Sequence, residues 1–105
     1  MKNNIFDIIQ PFSDKELIDI LFKNENIIIE RIISFGNPSP DGFWYNQPNN
    51  EWVILLTGEA EIEYKNGDKI YLKAGDYLLI PSNQEHRVSY TSKSPNCTWL
   101  CFYFK

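Results

Sequence analysis

Gly75-Asp76-Tyr77-Leu78-Leu79-Ile80-Pro81-Ser82-Asn83-Gln84-Glu85-His86 is the stretch whose reading decides the fold. A glycine turn launches an apolar run with strand character, a proline turn stops it, and the only histidine of the chain follows. Upstream, Glu51-Trp52-Val53-Ile54-Leu55-Leu56-Thr57-Gly58 is a second strand that ends on glycine. Trp52 to Thr57 is apolar on both faces, as in a strand covered on both sides.

Between the two runs lies a hairpin. Ala60, Ile62 and Tyr64 alternate with Glu59, Glu61, Glu63 and Lys65, so one face is packed and one is wet. Asn66-Gly67 is the favoured pair for a type I′ turn, and Lys69 to Lys73 returns with Ile70 and Leu72 inward. Ile27 to Phe35, Phe43 to Gln47, Arg87 to Thr91 and Thr98 to Lys105 also read as strands. Gly36 to Gly42 and Ser92 to Asn96 are loops by composition. Short strands separated by turn chemistry indicate an all-β barrel or sandwich.

The first segment reads differently. Ser13-Asp14-Lys15-Glu16 has the form of a capping box, and Leu17, Ile18, Leu21 and Phe22 mark one apolar face. This predicts one N-terminal helix, in a segment 1–26 packed on a barrel of residues 27–105.

A chain of 105 residues, 43% apolar and 15% aromatic, suits one compact domain with a real core. The net charge of −4 and the lack of any basic stretch argue against nucleic-acid binding. No segment is apolar for long enough to span a membrane, and no signal-peptide core follows Met1, so a cytoplasmic protein is expected. Cys97 and Cys101 lie on one strand about 13 Å apart, too far to bridge, and read as core or interface thiols.

The two runs together resemble the cupin family. Glu51, six residues and Gly58 match the end of its first motif. Gly75, five residues, Pro81 and then His86 match the second. The resemblance covers roughly Phe35 to Lys105. It implies a cupin-type double-stranded β-helix, a jelly-roll barrel of two antiparallel sheets. Asn83 replaces the second-motif glycine and Tyr90 its final asparagine. The two histidines of the first motif fall on Trp44 and Asn46, or with the shorter spacing on Tyr45 and Gln47.

The family's metal tetrad of three histidines and one glutamate is therefore reduced here to Glu51 and His86, with Gln47 or Tyr45 the candidate third ligand and Asn46 the less favoured choice. The resemblance implies a weak or vestigial site for a divalent transition metal, Fe, Mn, Zn or Ni, at low occupancy. Alternatively, His86 is a barrel-lining side chain bonded to Glu51 or to a tyrosine. Trp44, Tyr45, Val53, Val88 and Tyr90 are the candidate pocket walls, whereas Trp52 reads as core filling and Arg87 as outward-facing. No nucleophile–base pair and no phosphate loop are legible.

Three readings follow. The first is a barrel that binds a small organic ligand. The second is a metal-dependent oxygenase, isomerase or lyase acting on a small carbonyl or enol-type substrate. The third is a non-catalytic dimeric interaction module. The resemblance also implies a homodimer, with Ile27 to Phe35 the candidate pairing strand.

Overall fold

The computed structural model describes residues 1–8 and 15–105. Among these residues eight strands make two antiparallel sheets: β1 (Leu17–Lys23), β2 (Ile27–Ser34), β3 (Asn50–Thr57), β4 (Glu59–Tyr64), β5 (Lys69–Lys73), β6 (Tyr77–Ile80), β7 (His86–Thr91) and β8 (Cys97–Phe104). The five-stranded sheet runs β1-β2-β8-β3-β6 and the three-stranded sheet β5-β4-β7. This is the all-β architecture expected from the turn pattern, in the jelly-roll form that the family resemblance implies.

The expected N-terminal helix is replaced by a strand. Leu17–Lys23 pairs antiparallel with β2, Leu17 opposite Ile33 and Lys23 opposite Ile28. A short apolar run fits both the helical and the strand period, and pairing with β2 decides between them. Ser13, the expected cap, lies outside the described residues. No helix occurs among the described residues, so none is long and apolar enough to cross a membrane.

Alternation along β3 turns Glu51, Val53 and Leu55 inward, while Trp52 lies half-buried on the outer face against Tyr77 and Phe102. β8 owes its apolar character to its central place, with β2 on one side and β3 on the other. Leu55, Ala60, Cys97 and Cys101 are almost wholly enclosed and form the core with Ile62, Leu72, Ile80 and Trp99.

The β4–β5 hairpin forms where expected, but its turn is of another type. Gly67 has φ +100° and donates its N–H to the Tyr64 carbonyl, whereas Asn66 does not take positive φ. Asn66 instead accepts the Asp68 N–H through its side chain at 2.9 Å. A turn closed by one left-handed glycine satisfies the twist in place of type I′. Leu72 is buried as expected, but Ile70, near the hairpin tip, is 37% exposed.

Gly58 carries the chain from one sheet to the other. It has φ +82°, and a Cβ built there would lie 2.7 Å from the Cys97 sulfur and 2.9 Å from the Asn96 carbonyl oxygen. Only glycine fits this crossing without displacing its neighbours.

Candidate functional site

Between the two sheets is a cavity of about 170 Å³. An apolar cavity of about 150 Å³ accommodates a benzene-sized guest, so this volume suits a small organic molecule. Val53, Ile62, Ile80, Val88 and Trp99 form much of its wall, and Gln47, Glu51 and His86 lie together on the same lining.

Turn geometry brings these three polar residues together. Asn83 takes φ +62°, the left-handed region that asparagine tolerates, and its N–H donates to the Gln47 carbonyl at 2.7 Å. The Ser82 N–H donates to the Asn50 side chain at 3.0 Å. The Pro81 turn is thereby tied to the loop leading into β3. Tyr45 and His86 exchange two backbone hydrogen bonds, which anchors the same loop to the start of β7.

Glu51 stands on the five-stranded sheet and His86 on the three-stranded one, so their contact crosses the barrel. His86 Nε2 lies 3.5 Å from Glu51 Oε1, and the same oxygen accepts the Gln47 side-chain amide at 3.1 Å. His86 Nδ1 donates to the Gln84 carbonyl at 3.0 Å, which leaves Nε2 to face the carboxylate. Burial of His86 acts to lower its pKa. The Glu51 carboxylate and the Gln84 carbonyl outweigh that cost, so the imidazole is held above its ordinary value.

Tyr45 also lines the cavity and stacks on the His86 ring, with centroids 5.4 Å apart. Burial raises its phenol pKa. Trp44 and Tyr90 do not line the cavity. Trp44 lies where Lys65 and Arg87 approach its ring at 5.5 and 6.0 Å, a cation–π arrangement outside the site. Tyr90 is 46% exposed. Trp44 is one loop residue out of phase with Tyr45, and a bulge in β7, where Glu61 pairs with Tyr90 but Ile62 with Val88, breaks the alternation between Val88 and Tyr90, so neither contributes a wall. Arg87 faces outward, to Glu63, Asp41 and the Ser39 carbonyl.

Five further residues on the lining carry chemistry that the sequence did not point to: Glu16, Glu30, Trp99, Cys101 and Tyr103. Glu30 pairs across to Cys101, and Tyr103 lies beside Glu51 in the sheet register. Burial pushes the Cys101 thiol and the Tyr103 phenol well up, with the nearby Glu51 and Glu30 carboxylates adding to it. Both groups therefore stay protonated at neutral pH. The available signal was an acid within the apolar run of β2, but Glu30 and Arg31 are adjacent and the sequence does not say which one turns inward.

The residues present do not make up a metal set. Among the described residues no group of three or more His, Cys, Asp or Glu side chains is placed to hold an ion. Gln47 directs its amide N–H at the same carboxylate oxygen that faces His86, so the donors are engaged with one another. A catalytic ion ordinarily takes about three protein ligands.

Comparison with known proteins agrees with the architecture. A family model described as the cupin domain matches residues 37–103. A Ralstonia eutropha JMP134 protein, provisionally named a mannose-6-phosphate isomerase, is 33% identical over 100% of this chain and 98% of its own, with a TM-score of 0.93. A cupin superfamily protein of Desulfitobacterium hafniense DCB-2 shares 20% identity over 91% of this chain and 83% of its own, with a TM-score of 0.76. At that identity the likeness concerns the fold alone. The uncharacterized protein YdbB of Bacillus subtilis strain 168 is 42% identical over 45 residues, which span 42% of this chain and 40% of that relative's length.

Proposed function

The chain belongs to the cupin family, and from that premise we propose that it is a barrel that binds a small organic ligand, with the Glu51–His86 pair as the polar end of its cavity. The observation that carries this reading is the cavity of about 170 Å³ between the sheets, walled by aliphatic and aromatic side chains and ending in buried hydrogen-bonding groups. Concave apolar walls with a few convergent polar groups are the usual form of a small-molecule site. The position where the family would hold a metal is occupied by a carboxylate–imidazole pair, a vestige with at most weak affinity for a divalent ion.

A second reading is favoured by likeness along the whole chain to the Ralstonia protein, namely an isomerase acting on mannose 6-phosphate. The Glu51–His86 pair offers a proton donor and acceptor for such chemistry. Against it, no lysine or arginine among the described residues is on the cavity lining to meet a phosphate.

A homodimer formed through β1 is also proposed. β1 is an edge strand whose Ile18, Ile20, Leu21 and Phe22 are 57%, 58%, 47% and 52% exposed. An exposed apolar edge of this kind calls for a partner. β2, the pairing strand suggested by the family resemblance, already has β1 and β8 on its two sides. The free, buried thiols Cys97 and Cys101 suit a reducing compartment, consistent with a cytoplasmic protein.

Elemental analysis of untagged protein, paired with a small-molecule screen read by thermal shift, tests the proposal. The expected outcome is far less than one metal ion per chain and stabilisation by small organic compounds that Glu51→Gln weakens. Stoichiometric metal that is lost in His86→Ala would overturn it in favour of an enzyme.

A further inference from the structure

The cavity has an unusual charge balance. Among the described residues its lining contains three carboxylates, Glu16, Glu30 and Glu51, one imidazole, and no lysine or arginine. Glu51 is matched by His86. Glu16 and Glu30 have no ion-pair partner among the described residues. The two arginines next in sequence to cavity residues are turned away by strand alternation. Arg31, beside Glu30, is held on the opposite face of β2 by Asp19 and by the backbone carbonyls of Ile5 and Asp7. Arg87, beside His86, is held outside by Glu63 and the Ser39 carbonyl.

A separate observation points to the same ligand chemistry. Three aromatic side chains, Tyr45, Trp99 and Tyr103, line the cavity alongside these carboxylates. Aromatic faces together with carboxylates are the usual surroundings of an ammonium group, through cation–π attraction and charge-assisted hydrogen bonds. The aliphatic wall of Ile32, Val53, Ile62 and Val88 suits a hydrocarbon body attached to that group.

Resting on the ligand-binding reading above, we propose that the cavity selects small cationic amines with a short apolar body, and that Glu30 is the residue that reads the positive charge. Glu16, at the exposed rim, adds to the field that draws a cation in. Partial burial raises the pKa of both carboxyls; at Glu30 a hydrogen bond from Tyr103 works against this and the nearby Glu51 carboxylate adds to it. A phosphate- or carboxylate-bearing ligand meets the same field as repulsion.

Calorimetric titration of the full chain at neutral pH and low salt tests this with four probes: n-butylamine, 1-butanol, butyrate and glucose 6-phosphate. Butylamine is expected to bind about tenfold or more tighter than butanol, and the two anions not measurably, given the strength of charge interactions in a partly desolvated site. Glu30→Gln is expected to weaken butylamine about tenfold and to leave butanol unchanged. Glu16→Gln, at the exposed rim, provides a smaller loss in the same direction and does not depend on any change inside the barrel. Butyrate or glucose 6-phosphate binding as tightly as butylamine would overturn the proposal, as would an unchanged amine affinity in Glu30→Gln. Equal binding of butanol and butylamine would overturn the charge selection and leave the ligand-binding reading standing. No binding by any probe would overturn both.

Discussion

His86 Nε2 lies 3.5 Å from Glu51 Oε1, joining the two sheets of the barrel through a pair of buried side chains. The distance is long for a hydrogen bond, so charge attraction in a partly desolvated site carries much of the contact. This pair gives the cavity its polar end.

The pair makes stability depend on pH. The folded-state pKa of His86 is raised above its ordinary value of 6.5. Its contribution is therefore fully present below that value and is lost as pH rises through the folded pKa. Urea midpoints measured from pH 6 to about 8.5 should fall for the wild type and change less for Glu51→Gln. Glu16 and Glu30 are also raised, from 4.5, and lose stability with rising pH in a lower window. Identical slopes for wild type and Glu51→Gln in the upper window would show that the pair does not stabilise the fold.

Gly58 and Gly75 offer a controlled comparison. Both have positive φ, +82° and +95°, but a Cβ at Gly58 meets Cys97, Ser92 and Asn96, whereas one at Gly75 meets open space. Gly58→Ala is expected to cost roughly 2–4 kcal/mol from strain and overpacking together. Gly75→Ala is expected to cost about 1–2 kcal/mol from backbone strain alone. Denaturant unfolding measures both, and equal costs would mean that the crossing at Gly58 relaxes freely.

The proposed dimer depends on β1. Light scattering coupled to size exclusion should give twice the chain mass for the wild type. Ile20→Lys places a charge on the exposed edge and should give a monomer with an unchanged far-ultraviolet spectrum. A wild-type monomer at the same concentration would remove the proposal.

How far the sequence was legible varied with the source of the information. Glu51 and His86 could be read because glycine and proline turns fix their places, and Asn83 takes the positive φ that its position in the motif requires. The strand at Leu17–Lys23 could not, because seven residues of mixed apolar character satisfy two periodicities and the deciding partner, β2, is a separate segment. Glu30, Cys101 and Tyr103 were hidden for a related reason. β2 and β8 are largely apolar on both faces, and only their register with neighbouring strands determines which side chains reach the cavity. Trp44 drew notice for its position in the motif, yet it lies outside, against Lys65 and Arg87.

The central claim is that the space between the sheets receives a small organic ligand, and methyl-resolved NMR tests it most directly. Titration with n-butylamine and 1-butanol should shift the methyl signals of Val53, Ile62, Ile80 and Val88 and the Trp99 indole in a saturable way, because these groups line the cavity. A folded Val88→Phe variant, in which the larger side chain fills the half-buried wall, should abolish those shifts. Saturable shifts at the cavity methyls that vanish in the filled variant are the expected result. Shifts that are absent, or that persist unchanged in Val88→Phe, would contradict it.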